Sequence, residues 1–425
     1  MRLSCLKLLL FSAFIQFWIG CNGQIREDIS GVPTPLSTQP HSNQNSLEKR
    51  KENDTRPATV LDGPPKEWNV TQKRIGRDDW IDVSFVTADI GWIVAVKGYT
   101  IAPDGGSLFK TLNGGKTWRQ IPLKLAKNSF ISNINFVNRL RGWLIVQTIG
   151  KKSTKMQIME TSNGGKTWVP GFSLVTAIAA KMLISDSGEG WIIGIKGTAT
   201  YEHDRKNLVL HTSDFGNSWV DVTPKTASNR NGEPSSSVLF EDIFTDINFY
   251  VDSRMVALSR DGKLPVTTDG GSTWALQTTV ALHEKYSQGF SEFISLDEER
   301  FVVLSGANVP EGIWSAFSVI DDNVTKTSLL EDVFLSDMNT DLSGGTVTCG
   351  LRANWDKLET KGPTSAVVLT TNNFTDWQLL AEVSGGCKLA CRFNKISKRG
   401  KGYCAVGSDG IIAMIDKKPD KRTSR

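Results

Sequence analysis

The sequence predicts an all-β fold built from stacked, repeated four-stranded sheets, and three observations predict it. The hexapeptide Asn-Gly-Gly-Lys-Thr-Trp occurs at 113–118 and returns at 163–168. Each copy is preceded by an apolar strand, a short turn and a second strand opening Gly-Trp. Tryptophan and glycine are plentiful, with 13 and 38 residues in a chain of 425. A period of about fifty residues that carries strand and turn signals marks a radial array of sheets.

The repeat is a looser pattern, Thr-x-Asp/Asn-x-Gly-x-Thr/Ser-Trp. It fits at Thr111, Asn113, Gly115, Thr117 and Trp118, and at Thr161, Asn163, Gly165, Thr167 and Trp168. It fits again at Thr212, Asp214, Gly216, Ser218 and Trp219, and at Thr267, Asp269, Gly271, Thr273 and Trp274. A decayed copy runs from Thr370 to Trp377 without its glycine. The chemistry is that of a hairpin turn. An Asp or Asn side chain accepts from backbone N–H groups ahead of it, Gly supplies a positive φ, and Thr re-enters a strand. Trp buries its ring where the indole N–H can find an acceptor. None of these groups is a nucleophile or a general acid.

The opening strands fall near Ile81, Ile131, Lys181, Thr245, Phe290, Val333 and Leu389, which predicts seven blades. The double step from Trp274 to Trp377 requires one blade without the turn motif. The last unit stops after three strands, and residues 68–75 are expected to supply its fourth and close the ring. The propeller is expected over 66–417, with a basic tail at 418–425.

The first twenty residues carry Arg2 and Lys7 and then an apolar run, the pattern of an export signal too short to span a bilayer. It ends Ile-Gly-Cys, so Cys21 is expected to carry lipid; the alternative is plain secretion with cleavage after Gly23. Either places the protein outside the cytoplasm, as a periplasmic or surface lipoprotein or a secreted chain. Sequons at Asn53, Asn69, Asn323 and Asn373 leave a secreted eukaryotic protein open. Residues 22–65 are rich in Pro and polar residues and are expected to be a flexible tether. Cys349, Cys387, Cys391 and Cys404 crowd the last fifth of the chain, which in an exported protein suggests disulfides. Cys391 with Cys404, and Cys349 with Cys387, are the expected pairs.

A formal net charge of +4 is too small for a dedicated nucleic-acid binder. With four His and no clustered His/Cys ligands, no metal site and no cofactor is expected. His211 adjoins a turn-motif strand and reads as structural, whereas His203 and His283 fall on loops. A candidate partner surface lies on the face opposite the turn motifs. There Lys97, Lys151, Lys152, Lys155, Lys196, Arg205, Lys206, Arg260, Lys263 and Arg352 outnumber acidic residues, with Tyr99, Tyr201 and Trp355 as aromatic anchors. Such a face suits an acidic or membrane-associated protein partner met by a monomeric propeller.

The turn pattern resembles the Asp-box, or bacterial neuraminidase repeat. Together with the Gly-Trp strands it resembles the photosystem II assembly and stability factors and their non-photosynthetic bacterial relatives. The resemblance covers about 68–417. It implies an exported, often lipidated, non-catalytic seven-bladed propeller, with the Asp-boxes as folding devices away from the functional face. The alternative is a sialidase-like hydrolase or glycan-binding propeller. Its first arginine would be Arg74, in an Arg-Ile-Gly sequence lacking the expected proline, and Tyr286 beside Glu284 would be its nucleophile pair. Longer insertions stand at 223–245 and 350–363.

Overall fold

The computed structural model describes residues 59–61, 66–97, 105–150, 153–197, 206–224, 226–228, 234–239, 243–249, 254–280, 290–295, 300–305, 314–320, 323–330, 333–340, 346–353, 364–372, 376–387 and 391–418. The signal, Cys21, most of the tether and all but the first residue of the tail lie outside them.

The described strands form seven sheets. Blade one comprises Asp79–Phe85, Gly91–Val96, Gly106–Thr111 and Arg119–Ile121, each antiparallel to the next. Blades two and three repeat this order from Ser129–Phe136 and Ala177–Ile184. Blades four to six open with Phe244–Phe249, Phe290–Ser295 and Val333–Thr340. Blade five is the one that fills the double step. Blade seven contributes Phe393–Arg399, Gly402–Gly407 and Ile411–Lys417 and takes its fourth strand, Trp68–Arg74, from the other end of the chain. The opening strand of each blade lies against that of the next, and blade seven returns to blade one, so the array is a closed ring.

Two additions were not expected. Thr59–Leu61, inside the segment read as tether, pairs in parallel with Asp376–Ser384 at the outer edge of blade six. The insertion at 223–245 forms a hairpin, Thr226–Ser228 and Pro234–Leu239, on the outer edge of blade four.

A blade inside a ring is covered on both faces, so its second strand should be apolar throughout. Gly91–Val96, Met255–Ser259 and Gly402–Gly407 are buried at every position. The glycine that opens the strand is required by contact: a Cβ on Gly91 or Gly142 would lie 2.5 or 2.4 Å from the ring of Phe85 or Phe136.

The tryptophan that follows joins one blade to the next. Trp92 is fully buried and stacks on Phe136 of blade two at 3.5 Å between centroids. Lys110 lies over its ring at 4.6 Å, and its Nε1 donates to Gly164 O in the turn motif of blade two at 3.3 Å. Trp143 packs with Met182, Ile184 and Trp219 of blade three, and Trp191 with Phe244, Ile247 and Trp274 of blade four. The core is therefore a series of clusters between blades.

Polar bonds repeat the same step nearer the axis. Every opening strand has a bulge at one position, at Trp80/Asp82, Ile131/Asn133, Ala179/Lys181, Phe244/Asp246, Phe290/Glu292, Leu335/Asp337 and Phe393/Lys395. The bulge re-aims side chains towards the neighbouring blade. Asp82 Oδ2 accepts from Ile134 N at 2.9 Å, Asn135 Oδ1 from Ile184 N at 3.2 Å and Asp337 Oδ2 from Ile396 N at 2.9 Å. Lys181 pairs with Asp246, and Lys395 with Asp337. Burial pushes the Asp82 carboxyl up to about 6, against the pull of Lys395 and two backbone N–H groups.

The expected cysteine pairs are not formed. Cys387 bonds Cys391, with Cα atoms 5.3 Å apart, and Cys349 and Cys404 are buried and outside any disulfide. Cys391 packs in the cluster between blades six and seven, whereas Cys404 faces the cluster between blades seven and one. Opposite faces of one blade cannot be bridged.

Two outcomes follow. Trp92→Ala should cost about 3–5 kcal/mol, read from the urea midpoint, because it empties a packed site between two blades. Asp82 holds its proton more tightly folded than unfolded, where its value is 3.8. Its contribution to stability is thus full below about pH 4 and lost as pH rises through about 6. The thermal midpoint of the native chain, relative to Asp82→Asn, should fall between pH 5 and pH 7.

Candidate partner-binding face

The turn motif uses its own polar groups up. In the first copy Gly115 N donates to Thr111 Oγ1 at 2.8 Å, Thr111 Oγ1 to Asn113 Oδ1 at 3.1 Å, and Thr117 N to Asn113 Oδ1 at 2.9 Å. Asn113 Nδ2 closes the ring on Thr117 Oγ1 at 2.8 Å. The second copy matches it through Thr161, Asn163, Gly165 and Thr167. In the third and fourth, Asp214 and Asp269 accept instead from the hydroxyls of Ser218 and Thr273, at 2.6 and 2.7 Å. The hydroxyl and backbone N–H of Ser218 hold the Asp214 carboxyl below its ordinary value.

The expectation for the indole groups holds in one copy. Trp274 Nε1 donates to Val222 O at 3.0 Å and Gly271 O at 3.1 Å. The indole nitrogens of Trp118, Trp168 and Trp219 are buried with no hydrogen-bond partner. Those rings contribute packing, as in the edge-on contacts of Trp118 with Phe85 and Trp168 with Phe136. In the decayed copy Thr371, rather than Thr370, stands opposite the start of the second strand, and Trp377 is fully buried.

Only part of the face opposite these turns falls within the described residues. Tyr99, Lys151, Lys152, Tyr201, Arg205 and Trp355 lie outside the described residues, as do His203, His283, Glu284 and Tyr286. Lys155, Lys196, Lys206, Lys263 and Arg352 sit in strands rather than loops. Lys196 pairs with Asp221, Lys263 with Asp261 at 2.6 Å and Arg352 with Glu382 at 3.8 Å. Lys97 and Lys206 are exposed, and Arg260 lies in a turn. His211 packs on Trp191 at 4.3 Å between centroids, with the rings tilted by 37°, and bonds Glu189.

Sequence reasoning missed the cations on the turn-motif face itself. Lys116, Arg139, Lys166, Lys398 and Lys401 are all exposed there. They come from blades seven, one and two, which meet closely. A Cβ on Gly114 would lie 2.6 Å from Arg399 Nη1, and one on Gly164 would lie 2.7 Å from Lys110 Nζ. Arg399 donates to Ala88 O of blade one at 2.8 Å and pairs with Asp416. Burial, and then the charge of Lys166, hold the Lys110 ammonium below its ordinary value. Leu112 and Leu140, 68% and 55% exposed, stand in the same turns. No signal in one repeat reveals this sector, because it needs three blades in order. Arg74, read as the first arginine of a hydrolase, is engaged elsewhere: Nη2 donates to Gly385 O at 2.6 Å and Nη1 to Gly386 O at 3.1 Å.

Comparison with known proteins gives a consistent result. Residues 113–238 match the model of the photosynthesis system II assembly factor YCF48 family. The chain is 27% identical over 188 residues to the photosystem II stability/assembly factor HCF136, chloroplastic, of Oryza sativa subsp. japonica. That match takes in 41% of this chain and only 38% of the relative. A solved structure of YCF48 bound to D1 peptide aligns with a TM-score of 0.52 at 16% identity, over 85% of this chain and 100% of the other. YCF48 from Cyanidioschyzon merolae aligns with a TM-score of 0.53 at 13% identity, over 82% of this chain and 99% of the other. With its repeated turns and closed ring, the chain is an Asp-box β-propeller resembling the photosystem II assembly and stability factors.

Proposed function

We propose that this protein is an extracytoplasmic, non-catalytic propeller that binds an extended segment of a membrane-complex subunit and serves as an assembly or stability factor. The likeness to YCF48 and HCF136 supports that role, and the peptide bound in the YCF48 structure supports a polypeptide ligand. The observation that carries the reading here is the cationic sector of Lys116, Arg139 and Lys166 with Leu112 and Leu140 among them. Clustered ammonium and guanidinium groups attract carboxylates, and the two leucines offer apolar anchors, so a segment mixing acidic and apolar residues fits. The apolar run ending Ile-Gly-Cys supports export and a lipid on Cys21.

Affinity purification from detergent-solubilised membranes tests the site. The triple variant Lys116→Glu, Arg139→Glu, Lys166→Glu should lose at least about tenfold in partner recovery, roughly 1.4 kcal/mol. Lys97→Glu with Lys206→Glu, on the opposite face, should keep it. The reverse pattern would move the site to that face, and equal recovery by all three chains would overturn a charged docking face. Cys21→Ser should shift the protein from the membrane fraction to the soluble one, checked by fractionation and by the mass of the mature N-terminus.

A further inference from the structure

The strand that closes the ring is fastened at its end by a disulfide loop. Residues 385–392 lie between the last strand of blade six, Asp376–Ser384, and the first of blade seven, Phe393–Arg399. Gly385 and Gly386 both have positive φ, 74° and 73°, which turns two successive carbonyls outward. Arg74, the last residue of the closing strand Trp68–Arg74, takes both, and its Nη1 also donates to Asp409 O at 3.3 Å. Its Nη2 lies 3.5 Å from Cys387 Sγ and 3.9 Å from Cys391 Sγ. Cys391 is 2% exposed, whereas Cys387 is half-buried and Arg74 is open to solvent.

We propose that Cys387–Cys391 is a thiol–disulfide exchange site whose oxidised form latches the ring-closing strand through Arg74, and that it is reduced by a dithiol. A thiolate of the dithiol attacks Cys387 Sγ, the accessible sulfur. The Sγ–Sγ bond breaks, its electron pair leaves on Cys391 Sγ, and a mixed disulfide remains at Cys387. The Arg74 guanidinium, within 3.9 Å of both sulfurs, stabilises negative charge on the departing thiolate and so favours the step. The second thiol of the reductant then displaces Cys387. The reductant leaves as a disulfide, and the chain gains two electrons and two protons.

A disulfide sulfur has no proton to donate, so Gly385 O is left to Arg74. The reduced thiols are donors, and Gly385 O lies 3.3 Å from Cys391 Sγ and 3.9 Å from Cys387 Sγ. They can share that carbonyl with Arg74, and without the Sγ–Sγ bond Gly385 and Gly386 are no longer tied to Cys391. The loosened strand also carries Lys73, which donates to Gly115 O and to Lys116 O, the latter at 3.0 Å, in the first turn of blade one.

Hydrogen exchange on the native chain, oxidised and then reduced with dithiothreitol, tests this. Amides of 68–74 should exchange at least about tenfold faster after reduction, while those of Gly142–Ile149 in blade two stay unchanged. Alkylation should then label Cys387 and Cys391 but spare Cys404, whose thiol is pushed up to about 12 by burial. Cys387→Ser with Cys391→Ser, and separately Arg74→Gln, should exchange fast at 68–74 with or without dithiothreitol. Equal exchange in the oxidised and reduced native chain would overturn the latch. A disulfide that resists dithiothreitol while the chain stays folded would overturn the exchange site.

Discussion

The ring depends on what fits between a buried tryptophan and the backbone of the next blade's turn. Built on Gly165, a Cβ would lie 3.4 Å from Trp92 Nε1, and on Gly216 one would lie 3.1 Å from Trp143 Nε1. A side chain there would press on the neighbouring blade's tryptophan, and both glycines have positive φ, 86° and 80°, where other residues are strained. The same two residues thus satisfy two demands, the turn within a blade and the contact between blades. The aromatic and apolar side chains that fill each gap depend on that fit, because interiors are packed too densely to absorb a displaced sheet.

Polar chemistry is divided by depth. Near the axis, carboxylates and amides after the bulges accept backbone N–H groups from the next blade, so the opening strands are tied by directed bonds. At the rim of the turn face, the Asp and Asn side chains are consumed by their own turns. What remains to meet solvent is the variable residue of each turn, and in blades one and two that residue is a lysine, Lys116 or Lys166. A structural motif that spends its conserved-looking chemistry inward leaves its free positions to set the charge of a face.

Much of this was legible in the sequence. Six of the seven openings, the blade lacking a turn motif and the closing strand, read at 68–75 and found at Trp68–Arg74, follow from local patterns that repeat, and repetition multiplies a weak signal; the seventh was read near Leu389, outside the described residues, and its strand begins at Phe393. The cysteines were not legible because pairing depends on which face of a blade each side chain occupies. Cys391 precedes its strand, and Cys404 points to the other side of the sheet. Arg352 and Lys155 were taken for loop residues because strand ends carry no sharp signal; pairing with Ser365 and Val175 extends both strands. The cationic sector was missed for a different reason. Lys116 and Arg139 come from neighbouring blades one and two, and Lys398 of blade seven comes alongside blade one only once the ring has closed.

Closure itself pairs Asn69 with Asp416 and Gln72 with Ala413, residues from opposite ends of the chain. During synthesis the strand Trp68–Arg74 emerges before the rest of the propeller and waits for Ile411–Lys417, the last of its strands. Until then blade seven lacks an edge strand, blade one lacks its neighbour, and both present apolar surface. A chain not yet made as far as Ile411 is therefore an open arc with two sticky ends, and its passage to a closed ring waits on that strand. Quality control acting on this protein would need to sense only whether that final pair of strands has met.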